Sequence, residues 1–232
     1  MTRTSAFRRA SAATLIAAAV FAGTAGVSAA AAAVATTAST SSSSTVIAGR
    51  SATLTITLRS GTTGAIIPGV VVKLWSRPSS SAAWTFVASA TTSSSGVASV
   101  VVKPLHNTQY EWTFAGNSQF QPVTSGVVTL LVAQAISITA NHPSATTLNV
   151  WGGVTPNETG QIVVLQRLIN GVWTSLGSGA VIKSQTLPNG VTATSYLFHL
   201  GGLTLHSYVL RATRAATATN VAGVSATLTV SF

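Results

Sequence analysis

The sequence predicts an all-β protein: two antiparallel β-sandwiches in tandem behind an N-terminal export segment. Three observations predict it. Apolar residues recur with a period of two in short runs, Gly, Pro and Ser turns separate those runs, and the order of runs repeats once after roughly 95 residues.

The export segment comes first. Arg3, Arg8 and Arg9 form a positive stretch, Ala12 to Val20 an apolar one, and small residues crowd Ala22 to Ala33. This is the secretory signal pattern, here assigned to residues 1–31, with cleavage near Ala29 to Ala33. The predicted location is therefore secreted or extracellular, with cell-wall association left open. Beyond residue 31 no apolar run approaches the roughly 20 residues of a spanning helix, so no membrane span is expected in the mature chain.

Composition narrows the chemistry. Of 232 residues, 12 are Lys or Arg and 2 are acidic, for a net charge of +10. Without the three signal arginines, nine basic and two acidic residues remain, a mature charge of +7. There is no Asp, and the two acids are Glu111 and Glu158. There is also no Cys, which excludes disulfides and thiolate chemistry. Each sandwich must then hold by its core alone, which a domain of roughly 100 residues can do.

Residues 32–45 are a Ser/Thr/Ala-rich lead, read as flexible or as a weak first strand. The first sandwich, 46–133, begins where Leu54, Ile56 and Leu58 alternate with threonines. A turn at Gly64 to Gly69 leads to a strand at Val70 to Arg77. Trp84 to Ala90, Val97 to Val102, Gln109 to Ala115 and Val127 to Val132 follow. The second sandwich, 134–232, restates the order. Gly69 to Leu74 matches Gly160 to Leu165 at an offset of 91, and Trp84 to Val87 matches Trp173 to Leu176 at 89. Tyr110 matches Tyr208, and Thr129 to Val132 matches Thr227 to Val230, both at 98. Trp84, Tyr110, Trp173 and Tyr208 are accordingly read as structural. No Pro/Gly-rich linker interrupts Val132 to Ser137, so a short, stiff junction is expected there.

A unit of this length is the size of one immunoglobulin-like sandwich. The Gly-x-x-Val-x-Leu strand, the Trp-x-x-Val strand, Thr92 to Ala98 and Asn107 to Asn117 resemble the bacterial Ig-like repeats of exported actinobacterial proteins. The resemblance covers Val46 to Val132 well. It covers Ala140 to Val230 less well, because no evident counterpart of Ala115-Gly116-Asn117 is present there. It implies the fold, and it implies that Tyr110 packs at a sheet corner. Such domains serve as spacers, adhesin stalks, sugar-binding modules and enzyme partners, so fold alone does not choose among them.

Catalytic constellations are missing from the sequence. Glu111 and Glu158 fall in different repeats, which disfavours a two-carboxylate glycosidase site. No Gly-x-Ser-x-Gly elbow or phosphate-binding loop occurs. His106, His142, His199 and His206 are the only nitrogen metal ligands, about two per sandwich, short of a zinc set. No enzyme activity, metal or cofactor is expected. Strand phasing places Glu111 on an outer face with Lys73, Trp75 and Arg77, predicting a cross-strand ion pair. Glu158 reads as a solvated loop acid.

The candidate binding residues face outward by the same phasing. They are Trp75 and Trp151 as stacking surfaces, and Ile162 and Val164 beside Val209 and Arg211 as a contact patch. The expected role is a noncatalytic structural or surface-interaction protein. Its partner would be an anionic cell-wall polymer, a glycan or another surface protein, and the positive charge favours the first. The alternative is a carbohydrate-binding or enzyme-accessory module using the exposed tryptophans. Nucleic acid is not an expected partner, because basic residues are not clustered with aromatics.

Overall fold

The computed structural model describes residues 36–41, 45–177, 179–204 and 207–232. The export segment and His206 lie outside them. Among the described residues the regular structure is entirely β, and no helix is long and apolar enough to cross a membrane.

The N-terminal half contains β1 (Thr36–Ser41), β2 (Thr45–Ile47), β3 (Ala52–Ser60), β4 (Val71–Arg77), β5 (Thr85–Thr91), β6 (Val97–Val102), β7 (Thr108–Phe114), β8 (Val123–Thr124) and β9 (Val128–Ala133). One sheet runs β1-β3-β6; the other runs β2-β9-β7-β4-β5, with β8 also on β7. The C-terminal half contains β10 (Ala135–Ile136), β11 (Thr139–Ser144), β12 (Thr147–Gly152), β13 (Val154–Thr155), β14 (Ile162–Ile169) and β15 (Val172–Ser175). It continues with β16 (Ala180–Val181), β17 (Lys183–Thr186), β18 (Thr192–Leu200), β19 (Ser207–Arg214), β20 (Gly223–Val224) and β21 (Leu228–Ser231). Its sheets run β11-β12-β18-β17 and β15-β14-β19-β20, with β16 on β14 and β21 on β19, and β10 pairs with β13 as a separate two-stranded sheet. The order β9-β7-β4-β5 thus recurs as β21-β19-β14-β15.

Each half closes around its own core. In β3, Leu54, Ile56 and Leu58 are buried between partly or fully exposed Thr and Arg residues. Burial of each such side chain contributes about 1.5–3 kcal/mol. Val72, Leu74, Tyr110, Trp112 and Leu130 face them from the other sheet. The second core gathers Leu148, Val150, Val163, Leu165, Tyr196, Phe198 and Leu210. The lead is more than flexible chain: β1 pairs with β3 over six residues, from Thr36↔Ser60 to Ser41↔Thr55.

The repeat offset late in the chain is 100, where sequence matching gave 98. The Trp112 N–H donates to Ser125 Oγ (3.0 Å), and the Ala212 N–H donates to Ser225 Oγ (2.9 Å). Asn117 and Thr217 each accept the two following turn amides, Gln119 and Phe120 in one case, Thr219 and Asn220 in the other. Ala215-Ala216-Thr217 is therefore the counterpart of Ala115-Gly116-Asn117. Tyr110 stands opposite Val128, and Tyr208 opposite Val230. Tyr208 thus occupies the place of Thr108, and its match with Tyr110 is corrected by two residues. Both tyrosines remain buried, because a slip of two keeps every side chain on its face.

A single residue, Gln134, separates β9 from β10, and the second half is bonded back onto the first around it. Asn220, 1% exposed, donates through Nδ2 to the carbonyls of Leu105 (2.8 Å) and Val132 (3.2 Å), while its Oδ1 meets His106 Nδ1 (2.9 Å). The Asn107 amide donates to Thr219 O (2.7 Å), and the Val221 amide to Val132 O (3.0 Å). Gln134 Nε2 donates to Ala215 O (3.0 Å). Gly223 approaches so closely that a Cβ there would lie 2.5 Å from Gln134 O. The residue equivalent to Asn220 is Phe120, which packs on the first core. An amide stands in the second copy because that turn meets backbone carbonyls of the first half instead of apolar side chains.

Candidate functional site

The outer faces of β4-β5-β7 and β14-β15-β19 carry most of the sequence candidates. Trp75 is half-buried, donates from Nε1 to Thr113 Oγ1 (2.9 Å) and stacks edge-on against Phe86, with centroids 5.6 Å apart. Phe86 is half exposed, so the pair presents aromatic surface at the sheet edge.

Trp84 and Trp173 stand at matching hairpin positions on the outer faces, outside both cores. Each is covered by a guanidinium, Arg77 at 4.3 Å and Arg211 at 4.2 Å. In both clusters the arginine Nε donates to a glutamine Oε1 across the strand pair, Arg77 to Gln109 and Arg211 to Gln166, each at 2.8 Å. The two residue types lie on opposite strands in the two halves and not at equivalent positions, since by register Gln166 and Arg211 take the places of Trp75 and Glu111. Arginine sits on β4 and glutamine on β7 in the first half, while glutamine sits on β14 and arginine on β19 in the second. The planar guanidinium suits this arrangement, covering the ring while its edge donates.

Ile162 is exposed, and Val164, Val209 and Arg211 are half-buried on the same outer face. Arg211 is engaged by Trp173 and Gln166, which leaves Ile162 as the most open member of the patch.

Trp151 departs from expectation: it is 8% exposed. Alternation does place it opposite the core-facing Leu148 and Val150. However, β12 is an interior strand, and Trp151 sits in register between Thr139 of β11 and Leu197 of β18. It offers no stacking surface.

The two acids also depart from expectation. Glu111 stands opposite Trp75 and makes no ion pair with Lys73 or Arg77. Arg77 is instead committed to Gln109, the Ser80 carbonyl and the Trp84 ring. Burial pushes the Glu111 carboxyl above its ordinary range, and Arg77 partly offsets this. Glu158 is no solvated loop acid, because its Oε2 accepts from Arg214 Nη2 in the one ion pair among the described residues. The Arg214 side chain is 2% exposed and that of Glu158 25%. Arg214 continues the inward row Tyr208, Leu210, Ala212, so its charge enters the second core and needs a counter-charge. The signal was available in sequence: a cation in core phase, within the half that holds one acid.

The histidines are dispersed: His106 at the junction, His142 against the Phe232 ring, and His199 bonded to Asn149 Oδ1 (2.6 Å). Among the described residues no three potential ligands converge on a metal site.

No protein-family model matches the chain, and no curated protein matches it. Among solved structures it is similar to a crystal structure of the tetra-tandem repeat in the extending region of a large adhesion protein. That likeness has 16% identity and a TM-score of 0.34, over 86% of this chain and 49% of the other. The chain spans about half the length of that structure, and a likeness so distant passes nothing about binding or assembly to it.

Proposed function

We propose that this chain is a noncatalytic, exported protein of two tandem immunoglobulin-like modules that presents its outer sheet faces to an anionic surface polymer. The bonded junction carries the reading. With Asn220 buried between the halves and one residue in the connection, the modules present their faces at fixed spacing. Use of the acids supports it. Glu158 is committed to Arg214 and Glu111 stands in the other half, so neither has a carboxylate partner for acid–base work. The mature charge of +7 favours anionic partners. Co-sedimentation of the secreted chain with a purified anionic envelope polymer tests this. Binding should be strong at low salt and fall steeply as salt rises. Equal binding at both salts, or none at either, refutes it.

The carbohydrate-binding reading keeps one supporting observation, the partly open Trp75–Phe86 pair. Trp75→Ala should weaken glycan binding if that reading holds.

A further inference from the structure

The second half contains an inward-facing arginine with no counter-charge. Along β14, Val163 and Leu165 point into the core and are fully buried, and Arg167 is next in the same phase. Its guanidinium lies over the Tyr208 ring at 4.5 Å, and its Nε is buried without a hydrogen-bond partner. It makes no ion pair among the described residues. Neither acid of the chain is free to serve it, since Glu158 is bound to Arg214 and Glu111 lies on β7 of the other half. Arg214 shows how this chain treats an inward guanidinium when it neutralises one internally; Arg167 is left without that.

Arg167 instead borders a cavity of about 460 Å³ that opens to solvent. Tyr208, Leu176, His199, Leu200, Leu203 and Thr204 are among the residues that line it. The Tyr208 hydroxyl accepts the Thr204 amide (3.0 Å), tying the wall to the ring beneath the guanidinium. A space of that size accommodates a sugar-sized body. A half-buried guanidinium pairs best with a carboxylate or phosphate oxygen pair, and the three leucines offer apolar contact to the rest of the ligand.

We propose that this cavity binds an oxyanion carried on a sugar-sized unit, with Arg167 as the charge-reading residue. The proposal rests on the surface-polymer reading and names the site through which one repeating unit would be gripped.

The test is calorimetric titration of the full chain with glucuronate, glucose 6-phosphate, glucose and inorganic phosphate. The expected result is saturable binding of one or both charged sugars and none of glucose. Preference between the two charged sugars identifies a carboxylate or a phosphate source. Arg167→Gln should weaken that binding about tenfold or more, while leaving the thermal midpoint unchanged or raised, since an uncompensated charge is removed. Arg167→Lys, which keeps the charge on a foldable side chain, should retain part of the affinity. The proposal is overturned if no charged sugar binds, if glucose binds equally, or if Arg167→Gln binds like the parent. It is also overturned if that variant loses stability and Arg167→Lys restores stability without altering affinity, because the role is then structural. Salt-sensitive polymer sedimentation without charged-sugar binding sinks the cavity and leaves the surface reading standing. Charged-sugar binding without sedimentation does the reverse.

Discussion

Replacing Glu158 by Gln removes the counter-charge of a guanidinium that is 2% exposed and leaves the shape of the site nearly unchanged. Removing one partner of a buried pair costs about 3–5 kcal/mol. Glu158 is itself 25% exposed, and Gln retains a carbonyl acceptor for Arg214 Nη2, so the lower end applies: about 3 kcal/mol. Arg214 Nη1 already lacks a hydrogen-bond partner among the described residues. For a chain of this length 1 kcal/mol lowers the thermal midpoint by about 2–4 °C, giving a fall of roughly 6–12 °C by calorimetry. Pairing Glu158→Gln with Arg214→Met removes both charges and should recover most of that loss, because no uncompensated charge is left at the buried position. A single-variant shift below about 2 °C would refute the reasoning, as would a double variant no more stable than Glu158→Gln.

A Cβ at Gly152 would stand 1.9 Å from Ser137 O, beside the Tyr196 hydroxyl that donates to that same carbonyl (2.6 Å), so Gly152→Ala should cost about 3 kcal/mol in urea unfolding. A loss under about 0.5 kcal/mol would show that this backbone yields freely. Asn220→Ala leaves the Leu105 and Val132 carbonyls without their side-chain donor and should split a shared calorimetric transition into two; an unchanged single transition counts against the junction. The folded state holds the Glu111 proton more tightly than the unfolded chain, so its contribution is present below the unfolded pKa and lost as pH rises through the folded one. The stability of the parent relative to Glu111→Gln should therefore decline across the carboxylate range, and a rise in denaturation assays would contradict the sign.

Much of the fold was legible because burial follows a period of two. Leu54, Ile56 and Leu58, then Val72 and Leu74, then Val163 and Leu165, all face the cores as their spacing dictates. That same period hid the repeat offset. Tyr110 and Tyr208 could be aligned two residues out of place with every in–out assignment preserved. Trp151 was misread because phase tells which face a side chain takes and says nothing of how many neighbours cover that face. The acids were misread because their partners depend on tertiary placement: 56 residues separate Glu158 from Arg214, whereas Arg77, near Glu111 by register, was drawn off by Gln109 and Trp84. The shortness of the junction was legible in the missing linker, but the bonds that brace it were not, since one buried asparagine in a Thr/Ala loop looks like any turn residue.

The pairing of β2 with β9 is parallel, Thr45↔Leu131 through Ile47↔Ala133. If the chain is held at its N-terminal side and pulled from beyond β9, these two strands are drawn in opposite directions along their length. Their hydrogen bonds then resist together instead of opening one after another. The bridge from Ala133 to Val221 is also parallel and lies where force would leave the first half for the second. The strand order therefore gives the N-terminal half a shear geometry, in which parting its first strand from its last requires several hydrogen bonds to break at once.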